Sequence, residues 1–171
     1  MFGIPLHPLV VHFPIVLAIL LPIAAVVALW AIRRGTSARR GWAVPLALAA
    51  ALALGAFVAT KTGDLEEDRV ERIVPRRALH DHEEEGERFF IFSGILLLVT
   101  AAGLLHGRAG RAARIVSTAG AIGLVVAAVQ VGHSGGTLVY RYDAARAYAA
   151  DFGTGGQRTL PPGERDGGAD R

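Results

Sequence analysis

Four stretches of this chain, at residues 9–32, 42–60, 89–105 and 115–131, contain no Asp, Glu, Lys or Arg. Each approaches the ~20 residues that a helix needs to cross a bilayer, with the last two at the short limit. A helix lying on a soluble core keeps a charged stripe toward water, and these stretches have none. In hydrocarbon a backbone must satisfy its own polar groups, which selects helices. The expected fold is therefore all-α: an integral membrane four-helix bundle. Short connections make successive helices antiparallel neighbours, so an up-down-up-down order is the simplest topology.

Charge sets the orientation. Residues 33–40 carry four arginines and no acid, and residues 107–114 carry three arginines and no acid. Short basic loops stay in the cytoplasm. Residues 61–88 hold six basic and ten acidic side chains, and the tail from Ser134 holds five of each. Both are assigned to the far side, with both termini extracytoplasmic. Residues 1–152 then form one four-span domain with an outer connection at 61–88, within which residues 64–73 are rich in helix formers and end at Pro75, and residues 78–88 read as a helical lead-in to the third span. The Gly- and Pro-rich segment 153–171 reads as a disordered tail.

The first apolar stretch is expected to remain as a span. Residues 1–6 lack the basic start of a signal peptide, and the stretch exceeds the usual ~7–15-residue apolar region. The chain has no cysteine, which excludes disulfides, thiolate metal sites and covalent c-type haem within it. The net charge of +3 is accounted for by loops between spans, so nucleic acid is not an expected partner. No nucleophile elbow, Ser–His–acid set or HExxH occurs, and nothing supports a hydrolase.

Histidine is where chemistry concentrates. His7, His12, His80, His82 and His133 fall at one edge of the expected bundle and His106 at the other. Ionisable groups at membrane depth are costly unless paired, solvated or ligated. His7 and His12 are five residues apart, so their side chains diverge by about 140° on a regular helix. One is expected to face the bundle. His80 and Glu84 share a face at i,i+4, although the acidic run 83–85 also reads as a solvated helix start. His133 precedes Ser134-Gly135-Gly136, glycines expected to end the fourth helix. Pro14, Pro22 and Pro45 are expected to kink their helices.

Three segments carry a resemblance. They are Leu6-His7-Pro8-Leu9-Val10-Val11-His12-Phe13-Pro14, Thr62-Gly63-Asp64 with His82-Glu83-Glu84-Glu85-Gly86, and Gly132-His133-Ser134-Gly135-Gly136-Thr137-Leu138-Val139-Tyr140. Together they resemble the bacterial four-span membrane proteins of the domain-of-unknown-function 2231 family, over about residues 6–142. The resemblance implies a bacterial inner-membrane domain and favours His82 over His80. Relatives are often joined to, or near, cytochrome c-type redox modules, which implies a redox partner.

The leading expectation is a redox-associated subunit holding haem b, or a transition-metal ion, at the extracytoplasmic helix ends. His12 and His133 are the expected axial ligands, with His82 and His7 as substitutes or supporting donors. For a metal ion the expected set is His12, His82 and His133. The alternative is a cofactor-free membrane scaffold or partner-binding subunit.

Overall fold

A computed structural model describes residues 6–149 of the chain. The described part is helical throughout: α1 Leu6–Val10, α2 His12–Arg33, α3 Ala38–Val70, α4 Arg76–Ala102, α5 Gly107–Tyr140, and a closing 3-10 turn at Ala144–Tyr148. The boundary expected at residues 152 and 153 lies outside the described residues.

Three helical stretches are long and apolar enough to cross a membrane: Leu6–Arg33, Ala38–Val70 and Gly107–Tyr140. The third apolar stretch of the sequence falls short. It occupies only the second half of α4, whose first half carries His80 through Arg88. Large apolar side chains point outward all along these helices, among them Val16, Ile23, Val27, Leu54, Leu98 and Val129. A water-soluble monomer does not expose a belt of this kind, whereas lipid covers it without cost.

The core follows from a repeating inward face. On α2 it is Pro14, Leu17, Ala18, Leu21, Ala25 and Ala28. On α5 it is Arg114, Ser117, Ala121, Leu124 and Ala128. These positions advance by three and four, the spacing of one helix face. Many are small, which lets backbones approach and lets dispersion hold helices that lipid does not drive together. Leu17, Leu21, Leu52, Phe89, Leu96 and Leu124 fill the space between them.

The helix-former run at 64–73 and the lead-in at 78–88 are helical almost throughout, because α3 runs to Val70 and α4 starts at Arg76. Only residues 71–75 turn, ending at Pro75, whose ring suits a helix start. One expectation needs correction: the glycines after His133 do not end a helix, since α5 continues to Tyr140. The chain turns instead at Asp143, the only described non-glycine residue with left-handed backbone (φ 58°), a conformation Asp tolerates better than most. Pro14 has no N–H for the Val10 carbonyl and its ring crowds that oxygen, so one rung of the helix ladder is missing between α1 and α2, although Val11 itself keeps helical backbone (φ −60°, ψ −25°).

The bundle has two chemically distinct ends. At one, His7 meets Ala59 of α3 and His82 meets Ser134 of α5. At the other, Trp42 donates from Nε1 to the Thr100 carbonyl (2.8 Å) and Arg114 reaches the Gly103 carbonyl (2.5 Å). They are called the histidine end and the arginine end below.

Candidate functional site

The inward faces continue into the histidine end, and this register selects which polar residues meet. On α4 the buried series Leu79, Phe89, Ser93, Leu96, Thr100 passes through position 82, so His82 turns inward while His80 is exposed. On α5 the buried positions Leu124, Ala128 and Leu138 carry the same face through Ser134, and His133 is exposed. On the first span Pro14 is buried. His7, seven residues earlier, is half-buried, whereas His12 is exposed. The pair brought together is therefore His7 and His82. Their rings meet edge to face, with centroids 6.1 Å apart and planes at 78°.

Both tautomers follow from the partners. His7 Nδ1 lies 2.9 Å from the Ala59 carbonyl oxygen. A carbonyl only accepts, so Nδ1 carries the hydrogen. His82 Nδ1 lies 2.9 Å from Ser134 Oγ, and Ser134 Oγ lies 2.5 Å from Glu85 Oε2. The hydroxyl has one hydrogen. The charge-assisted bond to the carboxylate outcompetes the 3.1 Å contact with the Val131 carbonyl. Ser134 thus donates to Glu85 and accepts from His82 Nδ1. Each imidazole is anchored through Nδ1, and neither Nε2 has a hydrogen-bond partner among the described residues. Burial, then the neighbouring His7, lowers the pKa of His82 below its usual value, against a smaller upward pull from Glu85. At neutral pH His82 is neutral, with a free lone pair on Nε2.

Two glycines make room. A Cβ on Gly135 would stand 3.0 Å from His82 Cε1, and one on Gly63 would stand 3.3 Å from His7 Nδ1. Gly135 is the bed on which the His82 ring lies, which is why glycine sits inside α5 despite costing about 1 kcal/mol of helix propensity.

A carboxylate and a phenol close this end. Glu66 Oε1 accepts the backbone N–H of Leu6 (2.7 Å) and of His7 (3.3 Å), capping donors that α1 cannot satisfy itself. Glu66 Oε2 accepts the Tyr148 hydroxyl at 2.6 Å. Burial, then Glu66, raises the phenol pKa far above its ordinary value. The Arg69 guanidinium lies over the Tyr148 ring at 5.4 Å. Tyr148 thereby ties the end of the described chain across α3 to the backbone that holds His7.

Among the described residues no group of three or more His, Asp or Glu side chains is placed to hold a metal ion. The set His12, His82 and His133 is thus not assembled, because heptad register turns His12 and His133 outward. Ser134 and Glu66 were missed in the sequence, and Glu85, read there with its neighbours as a solvated helix start, instead accepts from Ser134. Ser134 and Glu66 continue inward faces already visible in the apolar pattern of α5 and α3.

The sequence pattern of a family described as predicted membrane protein, DUF2231, matches residues 3–147. The chain belongs to the DUF2231 family. The match takes in both the histidine end and the arginine end of the DUF2231 domain and all its described helices except the last residue of the closing turn. No curated protein and no solved structure matches the chain.

Proposed function

We propose that this DUF2231 protein is a multi-pass component of the bacterial inner membrane. Its long helices α2 to α5 cross up-down-up-down, with the histidine end and both termini extracytoplasmic. The acid-free arginine loops support that orientation. For α4, whose apolar half is short, local thinning of the bilayer and packing against α3 and α5 make crossing feasible. Single cysteines test the arrangement in this cysteine-free chain. An impermeant thiol reagent added outside is expected to label Glu84→Cys and Arg158→Cys and to leave Arg34→Cys and Arg108→Cys unlabelled. Labelling at position 34 or 108 would invert or dissolve the topology.

The function proposed for the histidine end is two-imidazole ligation by His7 and His82, of a haem b iron or a transition-metal ion, in a redox-associated subunit. The observation that carries it is the anchoring of both rings through Nδ1. Ligating histidines are held in this way by a carbonyl or a carboxylate-linked acceptor, which presents the other nitrogen as the ligand atom. Both side chains fit such a group chemically, since imidazole suits iron, copper and zinc. A b-type haem would be held without thioether bonds, and when bound would supply one-electron chemistry to a cytochrome c-type partner outside. A second reading is a cofactor-free scaffold, consistent with two imidazoles and no third ligand placed with them among the described residues. An absorption spectrum and elemental analysis of protein purified after haem and metal supplementation separate the two. A Soret band or a stoichiometric transition metal is expected, and a colourless, metal-free protein selects the scaffold.

A further inference from the structure

We propose that the arginine end is a binding site for a phosphate group, in a cavity walled by the starts of α3 and α5. The cavity, about 350 Å³, is lined by Ser37, Arg39, His106, Gly107 and Arg114, with Leu104 and Leu105 on its apolar side. It is independent of the histidine end.

The decisive group is Arg114. Its residue is only 8% exposed, yet among the described residues no carboxylate lies within ion-pair reach of it. The sequence explains why. No acidic residue occurs anywhere in residues 1–63 or 88–142, and those residues supply the whole arginine end. One guanidinium nitrogen, Nη1, bonds the Gly103 carbonyl (2.5 Å). The remaining N–H groups have no protein partner among the described residues, and no side-chain nitrogen among those residues is both buried and unpartnered, so these groups stay accessible where Arg114 lines the cavity. A guanidinium in a largely buried residue without a counter-charge is unfavourable, and an anion entering this cavity would supply one.

The surroundings are arranged for the same charge. Ser37 is the N-cap of α3 and His106 that of α5, and neither side chain bonds the helix it precedes. Both first turns therefore keep unsatisfied N–H groups beside the cavity. Helix N-termini carry partial positive charge and receive phosphate readily. Arg39 is exposed and makes no ion pair among the described residues. Arginine is also the side chain best matched to a phosphate's paired oxygens. In the proposed membrane orientation this depth coincides with the anionic headgroups of the cytoplasmic leaflet. A lipid phosphodiester and a free phosphate share the chemistry, and the test distinguishes them.

The full chain in neutral detergent is mixed with phosphatidylglycerol or with phosphatidylcholine, and retained lipid is read by native mass spectrometry. A separate arm adds inorganic phosphate alone and reads thermal stability. Wild type is expected to retain phosphatidylglycerol about tenfold more strongly than phosphatidylcholine, the scale of one charge-assisted contact. Arg39→Gln and Arg114→Gln should abolish the preference, and Arg72→Gln, at the other end, should leave it intact. Arg114 also holds the Gly103 carbonyl, so Arg39→Gln is the variant free of folding effects. Stabilisation by phosphate alone, lost in Arg39→Gln, would assign the site to the free anion. Equal retention of the two lipids with no response to phosphate, or an Arg39→Gln protein that behaves as wild type in both arms, would overturn the proposal.

Discussion

Gly110→Ala is expected to destabilise the protein by about 3 kcal/mol or more, the upper range for overpacking a tight backbone contact. Alanine in an exposed helix would ordinarily stabilise by about 1 kcal/mol relative to glycine, so the sign itself is informative. A Cβ at Gly110 would overlap the Leu105 carbonyl oxygen and stand 2.7 Å from its carbon. Neither atom is the end of a flexible side chain. The turn from α4 into α5 would have to move, carrying with it Arg114 and the Gly103 carbonyl it holds. Gly123 is the control, because a Cβ there meets nothing within 4 Å. Denaturation in detergent micelles should place Gly110→Ala well below wild type and Gly123→Ala at or above it. Equal stability of the two variants would show that α5 does not start as described.

The second large effect is expected at Trp42. Its residue is fully buried, packed against Ala25, Ala28 and partly buried Ile32 and Leu104. Trp42→Ala should cost about 3–5 kcal/mol, the range for emptying a large aromatic site. The loss is one of packing contacts, since lipid supplies no water-exclusion term to lose. Trp42→Phe keeps much of the ring and loses the bond to the Thr100 carbonyl, so about 1–2 kcal/mol is expected. A change below 1 kcal/mol for Trp42→Ala, in the same denaturation assay, would mean that α2, α3 and α4 do not converge there.

Much of the helical framework was legible because charge-free stretches have few folding options in lipid. The helical extensions of α3 and α4 were also legible, from the helix formers at 64–73, the stop at Pro75 and the lead-in at 78–88. Which side chains of these extensions turn inward was less so, because their three-and-four register is masked by a high density of charge. Arg114 illustrates the limit at the other end. Composition puts an arginine after Arg108 and Arg111 in a cytoplasmic loop. Its spacing to Ser117, Ala121 and Leu124 puts it on the buried face of α5, and the spacing is the feature that decides.

The histidines divide along the same line. That His7 and His12 must diverge followed from their spacing of five, and His7 is the one turned inward. That His7 would meet His82 did not follow. The contact depends on Gly63 and Gly135 leaving space for two rings, and on Glu66 holding the α1 backbone from 59 residues away. Such long-range coincidences leave no local signal. Ser134 took the place given to His133 because one residue of rotation on a helix is about 100°.

The most direct test of the account is whether His7 and His82 serve one occupant. Haem and transition-metal content should be measured, after identical supplementation, in wild type, His7→Ala, His82→Ala and the double variant, with His12→Ala and His133→Ala as controls. Each single change at His7 or His82 is expected to abolish the bound group, the double variant to lose nothing further, and the two controls to match wild type. Content that survives in His7→Ala and His82→Ala but falls in His12→Ala or His133→Ala would contradict the account.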